Sequence, residues 1–373
     1  MLKKNNGILI VGGGLLQSYA IKKARENNLK VYLSDGDVNC FSKNLADEFY
    51  LIDTKDYKKT SEIAKNLVRN KEISGVYTQG TDVAFTVAYA AKQSGLPGLD
   101  PDIALSTENK IIMREKLFKT GIDKTKFMVA STLEDLDSCK NLVGFPCYVK
   151  PADNSGSRGV SRVIKQNELK EAFNLAKNNN IVENKVLIEQ EIIGDEFSID
   201  TVVVDNTLYN AGISDRIFNK KDKYAIQGGS LTPSLLPEEK QHAMIELMER
   251  IADKFQINNS ALKGDLIIDE NGVIKVIEIA ARTSGGFDSQ VRKPTSFGID
   301  LISLTMELSL NKEPNINHLI PKWFKWSKTI SIFPSSGIVK SIIGENWLEE
   351  NNEVVDSKIL VKKGDHILDF IDC

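Results

Sequence analysis

The sequence has few of the residues on which several common catalytic centres depend. Only three histidines occur among 373 residues, namely His242, His318 and His366. A Ser-His-Asp triad or a histidine-rich zinc site would have to use these three, and none lies near a matching motif. We therefore expect a chemistry based on carboxylates, lysines, arginines and hard metal ions.

Cysteines and long apolar runs are also scarce. No apolar run approaches the roughly 20 residues of a membrane span, and Ile8–Val11 is too short for the apolar part of a signal peptide. The cysteines are scattered without CxxC spacing, which favours reduced thiols in a cytoplasm. They are Cys40, Cys139, Cys147 and Cys373. These absences predict a cytoplasmic protein that does not enter a membrane.

Neither sign of charge dominates the chain. Its formal net charge is −3, and no block of like charges occurs. Nucleic-acid binding is therefore not indicated. Hydrophobic residues make up 41% of the sequence, and 373 residues suffice for well-filled cores in two or three domains.

Strand and helix patterns alternate in residues 1–105, which predicts a Rossmann-like domain with a parallel sheet. The segment GLPGLDP, residues 95–101, marks its end. After the first strand, VGGGLLQ lacks the third glycine of the dinucleotide fingerprint. The loop is either a plain turn or an anion site, and Gly13, Gly14 and Gln17 are candidate substrate contacts. Residues 79–82 are a second segment that could frame a substrate.

The remaining chain divides into three segments with different predicted secondary structure. Residues 106–186 combine a helix near 109–120, a hairpin and the helix Glu168–Asn178, which Asn167 would cap. Residues 187–313 indicate antiparallel strands and the amphipathic helix Glu238–Phe255. Residues 314–373 indicate a small β module.

A lysine precedes a loop of small residues in YVKPADNSGSRGV. Small residues let backbone amides close over phosphate oxygens, and Lys150 could reach the same oxygens. The loop joins two strands and is not a Walker P-loop. A flexible hairpin without a ligand is the alternative. The candidate phosphate contacts in this loop are Ser155, Gly156, Ser157 and Gly159.

Carboxylates follow in two further segments. Glu189 ends a strand, and Glu196 lies seven residues later, where a ribose could bind; a solvated acidic turn is the alternative. Asp265 and Glu278 flank a hairpin centred on Asn271-Gly272 and are expected to lie roughly opposite each other. They could share a hard cation or take part in a structural salt bridge. Arg282, four residues on, could neutralise an oxyanion.

The order and spacing of these elements resemble the ATP-grasp superfamily from about Gly7 to Gly298. The resemblance implies a mixed α/β and α+β ATP-grasp fold, in which residues 106–186 and 187–313 form the small and large ATP-grasp subdomains. It also implies ATP as cofactor, with Mg²⁺ or alternatively Mn²⁺. The implied contacts are phosphate binding by Lys110 and Lys150, adenine binding at Glu189 and the backbone of Gln190 and Ile192, ribose binding by Glu196, metal binding by Asp265 and Glu278, and catalysis by Arg282 and Lys150.

Two departures from the family pattern occur. Many members carry E-x-N-x-R, whereas EIAAR here places Ala280 at the asparagine, so the number of metal ions stays open. The related β module usually continues further than Cys373, so either the module is abbreviated in this protein or the sequence is truncated. The EIAAR segment, followed by Gly285 and Gly286 as candidate substrate contacts, resembles the carbamoyl-phosphate-synthase-like and L-amino-acid-ligase-like branch.

The resemblance implies a carboxylate-amine ligase that activates an amino acid or small acid as an acyl-phosphate for attack by an amine. Its partners would be small-molecule carboxylate and amine substrates, and homodimers are common among similar proteins. Loops such as Asn219–Thr232 would shape the substrate sites. A bicarbonate-using or purine-pathway enzyme, a non-catalytic ATP-binding regulator and a Rossmann dehydrogenase remain as alternatives.

Overall fold

The computed structural model describes residues 6–219 and 226–368. The strands are β1 Gly7–Val11, β2 Lys30–Asp35, β3 Glu48–Leu51, β4 Gly75–Tyr77, β5 Phe127–Ala130, β6 Cys147–Pro151, β7 Ser161–Val163, β8 Val186–Gln190, β9 Gly194–Val204, β10 Thr207–Asn219, β11 Ile226–Thr232, β12 Ser260–Asp269, β13 Ile274–Ala280, β14 Ser327–Ile330, β15 Gly337–Ile338 and β16 His366–Ile367. The helices are α1 Gln17–Glu26, α2 Tyr57–Arg69, α3 Ala84–Gln93, α4 Pro101–Glu108, α5 Lys110–Lys119, α6 Cys139–Leu142, α7 Leu169–Asn178, α8 Glu238–Phe255, α9 Lys293–Phe297, α10 Leu301–Ser309 and α11 Glu345–Glu350.

The N-terminal strands form the predicted parallel sheet, in the order β3-β2-β1-β4. Every residue of β1 is buried, because helices cover both faces of the sheet. Helices α2 and α3 pack on one face. On the other face lie α1 and, from much later in the chain, Ile302, Met306 and Leu310 of α10 and its end. The core of this sheet therefore draws on residues far outside 1–105.

A four-stranded antiparallel sheet, in the order β5-β8-β6-β7, contains the hairpin predicted on either side of the small-residue loop. Helix α7 buries its predicted face against it, namely Leu169, Ala172, Phe173 and Ala176. The expected cap at Asn167 is wrong, because a 3-10 turn over Gln166–Glu168 leads directly into the helix. No side chain caps α7.

A larger six-stranded sheet follows the order β13-β12-β9-β10-β11-β14. Its helix α8 has the predicted bounds, and Met244, Met248, Ile251 and Phe255 enter the core against it. The edge strand β14 lies within residues 314–373 and is hydrogen-bonded to β11. The first part of the C-terminal region is thus built into this sheet.

Helix α4 is not among the predicted elements, because GLPGLDP indicates only the end of the N-terminal domain. Asp100 accepts a hydrogen bond from the Asp102 N–H, and Pro101 occupies the first helical position, which proline favours. Helix α5 follows at once, capped by Asn109, whose side chain accepts from two backbone N–H groups. These two caps fix the position of Lys110 at the start of α5.

Beyond β14, the described residues form the two-stranded pair β15-β16 and the short helix α11. Many large apolar side chains are exposed in this region, among them Ile332, Ile343 and Trp347. Across the described residues, no helix combines the length and apolar character needed to cross a bilayer.

Candidate functional site

A cleft of about 330 Å³ lies where the three main sheets meet. It is lined from α4 and α5, from the small-residue loop, from β13 and from the loop that follows β4. Its charged and polar lining residues include Asp82, Lys110, Asn154, Ser155 and Glu278. Several predicted site residues that are distant in sequence therefore line the same cleft.

The hairpin of β12 and β13 brings two of the predicted carboxylates together. Asp265 and Glu278 are direct partners in the antiparallel register, which confirms the predicted pairing. The register shifts between Asp265 and Leu266, which marks a local irregularity beside the pair. Asp265 is almost fully buried, whereas the Glu278 side chain is 31% exposed.

The two oxygens of Asp265 differ in their surroundings. Oδ2 accepts a hydrogen bond from Lys263 Nζ at 2.6 Å and lies 3.5 Å from Arg216 Nη1. Oδ1 is buried, and no described residue donates a hydrogen bond to it. Burial raises the pKa of the Asp265 carboxyl, but the Arg216 and Lys263 charges outweigh it and leave the pKa below its ordinary value. A buried, ionised and unsatisfied oxygen is a position that a cation would complete.

Hard divalent cations prefer carboxylate oxygens, so the Asp265 and Glu278 pair fits Mg²⁺ or Mn²⁺. Within the described parts of the chain, no group of three or more His, Cys, Asp or Glu side chains is placed to hold a metal. A metal bound at this pair would thus need further oxygens from a ligand or water. That arrangement is usual for magnesium with substrate phosphates.

Lys110 lies beside Glu278, at 3.7 Å between Nζ and Oε2. The same Nζ donates to the backbone carbonyl of Asn154 at 2.7 Å, so it also contacts the small-residue loop. The Lys110 backbone N–H donates to Ala152 O at 2.8 Å. The start of α5 is thereby fixed against the loop, with one cation at the edge of the cleft.

The small-residue loop has fixed ends and an exposed tip. Asp153 accepts three backbone N–H groups, from Ile181, Val182 and Glu183, at 2.7–2.8 Å. A Cβ at Gly159 would lie 2.6 Å from Asn179 Cβ, so only glycine fits there. Between these anchors, Gly156 and Ser157 are exposed and both have positive φ, near +66° and +59°. Ser155 is half-buried and lines the cleft.

Lys150 and Glu189 form an ion pair across neighbouring strands β6 and β8. The other oxygen of Glu189 accepts from Arg114 Nε at 3.0 Å. Arg114 is fully buried in α5, and its Nη2 donates to Val276 O at 2.8 Å. Burial raises the pKa of the Glu189 carboxyl, but the Lys150 and Arg114 charges more than offset this and lower it. Glu189 therefore positions Lys150, a role that the sequence did not indicate.

The predicted adenine-contacting backbone lies in the connector between β8 and β9. Gln190 ends β8, and its backbone N–H donates to Lys126 O at 2.9 Å. Ile192 lies two residues further, in the connector itself. The adenine role of these residues stays a prediction.

Glu196 accepts a hydrogen bond from Arg216 Nη1 at 2.9 Å on the neighbouring strand β10. Burial raises the pKa of the Glu196 carboxyl most strongly, Arg216 lowers it in part, and the net shift is upward. The charges of Asp265 and Glu278 also act in the upward direction, so the three carboxylates share one electrostatic environment.

We expect Glu196→Gln to increase the free energy of unfolding of the ligand-free protein at pH 7. Because the folded-state pKa of Glu196 is raised, its ionised form is disfavoured in the folded state. The corresponding loss of stability appears as pH rises above the ordinary glutamate value of about 4.3. The difference between variant and wild type should therefore shrink as pH falls towards that value. Urea unfolding at several pH values measures it, with exposed Glu249→Gln as the control; equal or lower stability of Glu196→Gln at pH 7 contradicts the expectation.

Arg282 joins the six-stranded sheet to the N-terminal domain. Its Nε and Nη2 both bond to Asp82 Oδ1, at 2.7 and 2.6 Å, in the loop after β4. Arg282 Nη1 also donates to the Thr283 carbonyl at 3.1 Å. The guanidinium is thus held at the cleft by a carboxylate from the segment 79–82, a contact that no spacing in the sequence indicates.

The N-terminal glycine loop forms hydrogen bonds with other residues of its own domain. The Gly13 N–H donates to Asp35 Oδ2 at 2.6 Å, and the Gly14 carbonyl accepts from Ser42 Oγ at 3.0 Å. Gln17 is buried and donates to Gln79 O. The substrate role of Gly13, Gly14 and Gln17 stays a prediction that these contacts do not support.

The two glycines after Arg282 lie in different surroundings. A Cβ at Gly285 would lie 3.2 Å from Gly80 O, so the domains approach closely there. Gly286 has φ near +60°, and no described atom lies within 4 Å of its ideal Cβ. Residues 220–225, in the loop expected to shape the substrate sites, lie outside the described residues.

Residues 143–290 match the family of ATP-grasp domains. The L-arginine-specific L-amino acid ligase of Bacillus subtilis is 24% identical over 307 residues, which cover 79% of this chain and 73% of that protein. Among solved structures, the L-amino acid ligase of Bacillus licheniformis has a TM-score of 0.86 at 23% identity, over 100% of this chain and 92% of that one.

 The phosphoribosylglycinamide synthetase of Anaerococcus prevotii has a TM-score of 0.75 at 20% identity, over 99% of this chain and 91% of that one. These structural likenesses show a shared fold.

Proposed function

Because the chain belongs to the ATP-grasp superfamily, we propose that it is an ATP-dependent carboxylate-amine ligase. It would activate an amino acid or small carboxylic acid as an acyl-phosphate, which an amine then attacks, with release of ADP and phosphate. The observation that carries the proposal is that Glu278, which lines the cleft, pairs with Asp265 across the hairpin and lies beside Lys110, with both carboxylates within electrostatic reach of Arg282. Carboxylates that could bind a metal ion therefore lie close to side-chain cations that could bind phosphates.

The side chains of this cleft account for binding and charge neutralisation. Lys110 and Lys150 would contact the ATP phosphates. For this contact, the ion pair between Lys150 and Glu189 would have to open. The exposed tip at Gly156 and Ser157 offers backbone amides that could cover the phosphates and exclude water from a hydrolysable acyl-phosphate. Positioning and charge neutralisation supply most of the catalysis of phosphoryl transfer.

Asp265 and Glu278 would hold Mg²⁺, which when bound neutralises phosphate charge and orients the phosphates. Arg282, which Asp82 holds in position, would steady the substrate carboxylate and then the oxyanion that forms on amine attack. Glu196 would accept hydrogen bonds from the ribose hydroxyls.

The proposal is tested by measuring ADP release across pairs of amino acids and small acids in the presence of Mg²⁺. We expect ADP to form only when both a carboxylate and an amine substrate are present. Lys150→Ala should lower kcat by about 10²–10³-fold, because it removes a charge aimed at the phosphates. The matched control is Lys170→Ala, an exposed lysine on α7, which should leave ADP formation unchanged.

Other outcomes of the screen identify the rival functions. Bicarbonate-dependent ADP release would indicate a carboxylating or purine-pathway enzyme. ATP binding without phosphate release for any substrate pair would indicate a regulator. Undiminished ADP formation by Lys150→Ala would refute the assignment of the site.

A further inference from the structure

A lysine lies where the strand register brings it next to Ala280. In the hairpin of β12 and β13, Lys263 is the direct antiparallel partner of Ala280, one pair beyond the neighbours Gly264 and Ile279. Directly opposed residues of an antiparallel pair have Cβ atoms about 4.5–5.5 Å apart. The methyl side chain of Ala280 therefore leaves room beside the stem of Lys263 and provides no oxygen ligand.

The Lys263 ammonium points along its strand towards the paired carboxylates. Its Nζ lies 2.6 Å from Asp265 Oδ2, and its side chain is only 13% exposed. Burial raises the pKa of Asp82, but the Arg282 and Lys110 charges outweigh it and lower the pKa, and the Lys263 charge adds to the lowering. A fixed cation is thus already present at the carboxylate pair in the folded chain.

The remaining oxygens suit one divalent cation better than two. Asp265 Oδ2 is occupied by Lys263, so Asp265 offers the unsatisfied Oδ1, and Glu278 offers its carboxylate. A two-metal centre generally needs ligands that hold two ions about 3.5–4 Å apart. Ala280, two residues beyond Glu278 on β13, supplies no side-chain oxygen for a second ion.

We propose that the Lys263 ammonium takes the place of a second divalent cation, so that the site binds a single metal ion with each nucleotide. The inference rests on the proposed function, because it takes Asp265 and Glu278 as the metal ligands. Lys263 is a positioning residue in this view. It holds one oxygen of Asp265 and supplies a permanent positive charge where another metal would otherwise neutralise phosphate.

The test counts bound metal ions directly. Mn²⁺ is titrated into the protein saturated with a non-hydrolysable ATP analogue, and free Mn²⁺ is measured by electron paramagnetic resonance. We expect one tightly bound Mn²⁺ per wild-type chain. The double variant Lys263→Ala with Ala280→Asn removes the ammonium and adds an oxygen ligand, so it should bind two. Lys275→Ala, on the opposite strand of the same hairpin, is the control and should still bind one.

The outcomes separate this inference from the proposed function. Two tightly bound Mn²⁺ per wild-type chain overturn the role of Lys263 while leaving the metal site in place. No tightly bound Mn²⁺ with the analogue, despite analogue binding, overturns the metal site and the proposed function with it. The wild-type count decides the inference even when the double variant fails to fold.

Discussion

Glu278→Gln should lower the rate of ADP formation by at least about 100-fold. The substitution keeps the size of the side chain and removes the negative charge that faces Lys110 and pairs with Asp265 across the hairpin. Loss of groups that only support metal ligands commonly costs 10–100-fold in metal affinity or activity, and Glu278 is proposed as a ligand itself. Steady-state ADP release with the best substrate pair from the screen measures the effect.

Glu270→Gln provides the matched control for this variant. Glu270 lies at the exposed turn of the same hairpin, so the same chemical change there should leave the rate within about twofold of wild type. Circular dichroism of both variants shows whether they keep the secondary-structure content of the wild type. A rate for folded Glu278→Gln close to that of the wild type would remove Glu278 from the metal site.

Arg114→Met should destabilise the protein by about 3–5 kcal/mol, the range found when one partner of a buried ion pair is removed. The methionine fills much of the same volume but leaves the carboxylates of Glu189 and Asp123 without their buried cation. The backbone carbonyls of Val276 and Ile277 also lose a donor. The free energy of unfolding from urea titrations of variant and wild type gives the difference.

Lys119→Met tests whether any loss of charge on α5 has this effect. Lys119 is exposed and pairs with Glu115 on the same helix, so its removal should cost about 0–1 kcal/mol. If Arg114→Met were destabilised no more than Lys119→Met, the buried network around Glu189 would contribute little to stability.

The sequence was sufficient where a pattern reflects local geometry. Alternating strands and helices predicted the parallel sheet, and the apolar spacing of Glu238–Phe255 predicted α8 with its bounds. The Asn271-Gly272 turn predicted the hairpin, and counting outward from it placed Asp265 opposite Glu278. In each case the period of the side chains, or the conformational preference of a turn, determines which residues become neighbours.

The sequence was insufficient where the partner of a residue depends on how separate elements pack. Arg114 looks like an ordinary surface arginine of a helix, yet it is fully buried because β8 and β13 enclose it. Asp82 and Arg282 are 200 residues apart, and only the contact between two domains brings them together. Lys263 was missed for a different reason, since its importance depends on the alanine opposite it and not on a motif of its own.

The packing of α10 on the N-terminal sheet has a consequence for synthesis on the ribosome. Ile302, Met306 and Leu310 belong to the same core cluster as Ile8 and Ile10 of the first strand. About 300 residues must therefore emerge before that face of the sheet can be covered. Until then, the apolar face of the sheet in the nascent chain is exposed to water. Binding of chaperones or of other chains to this face competes with folding.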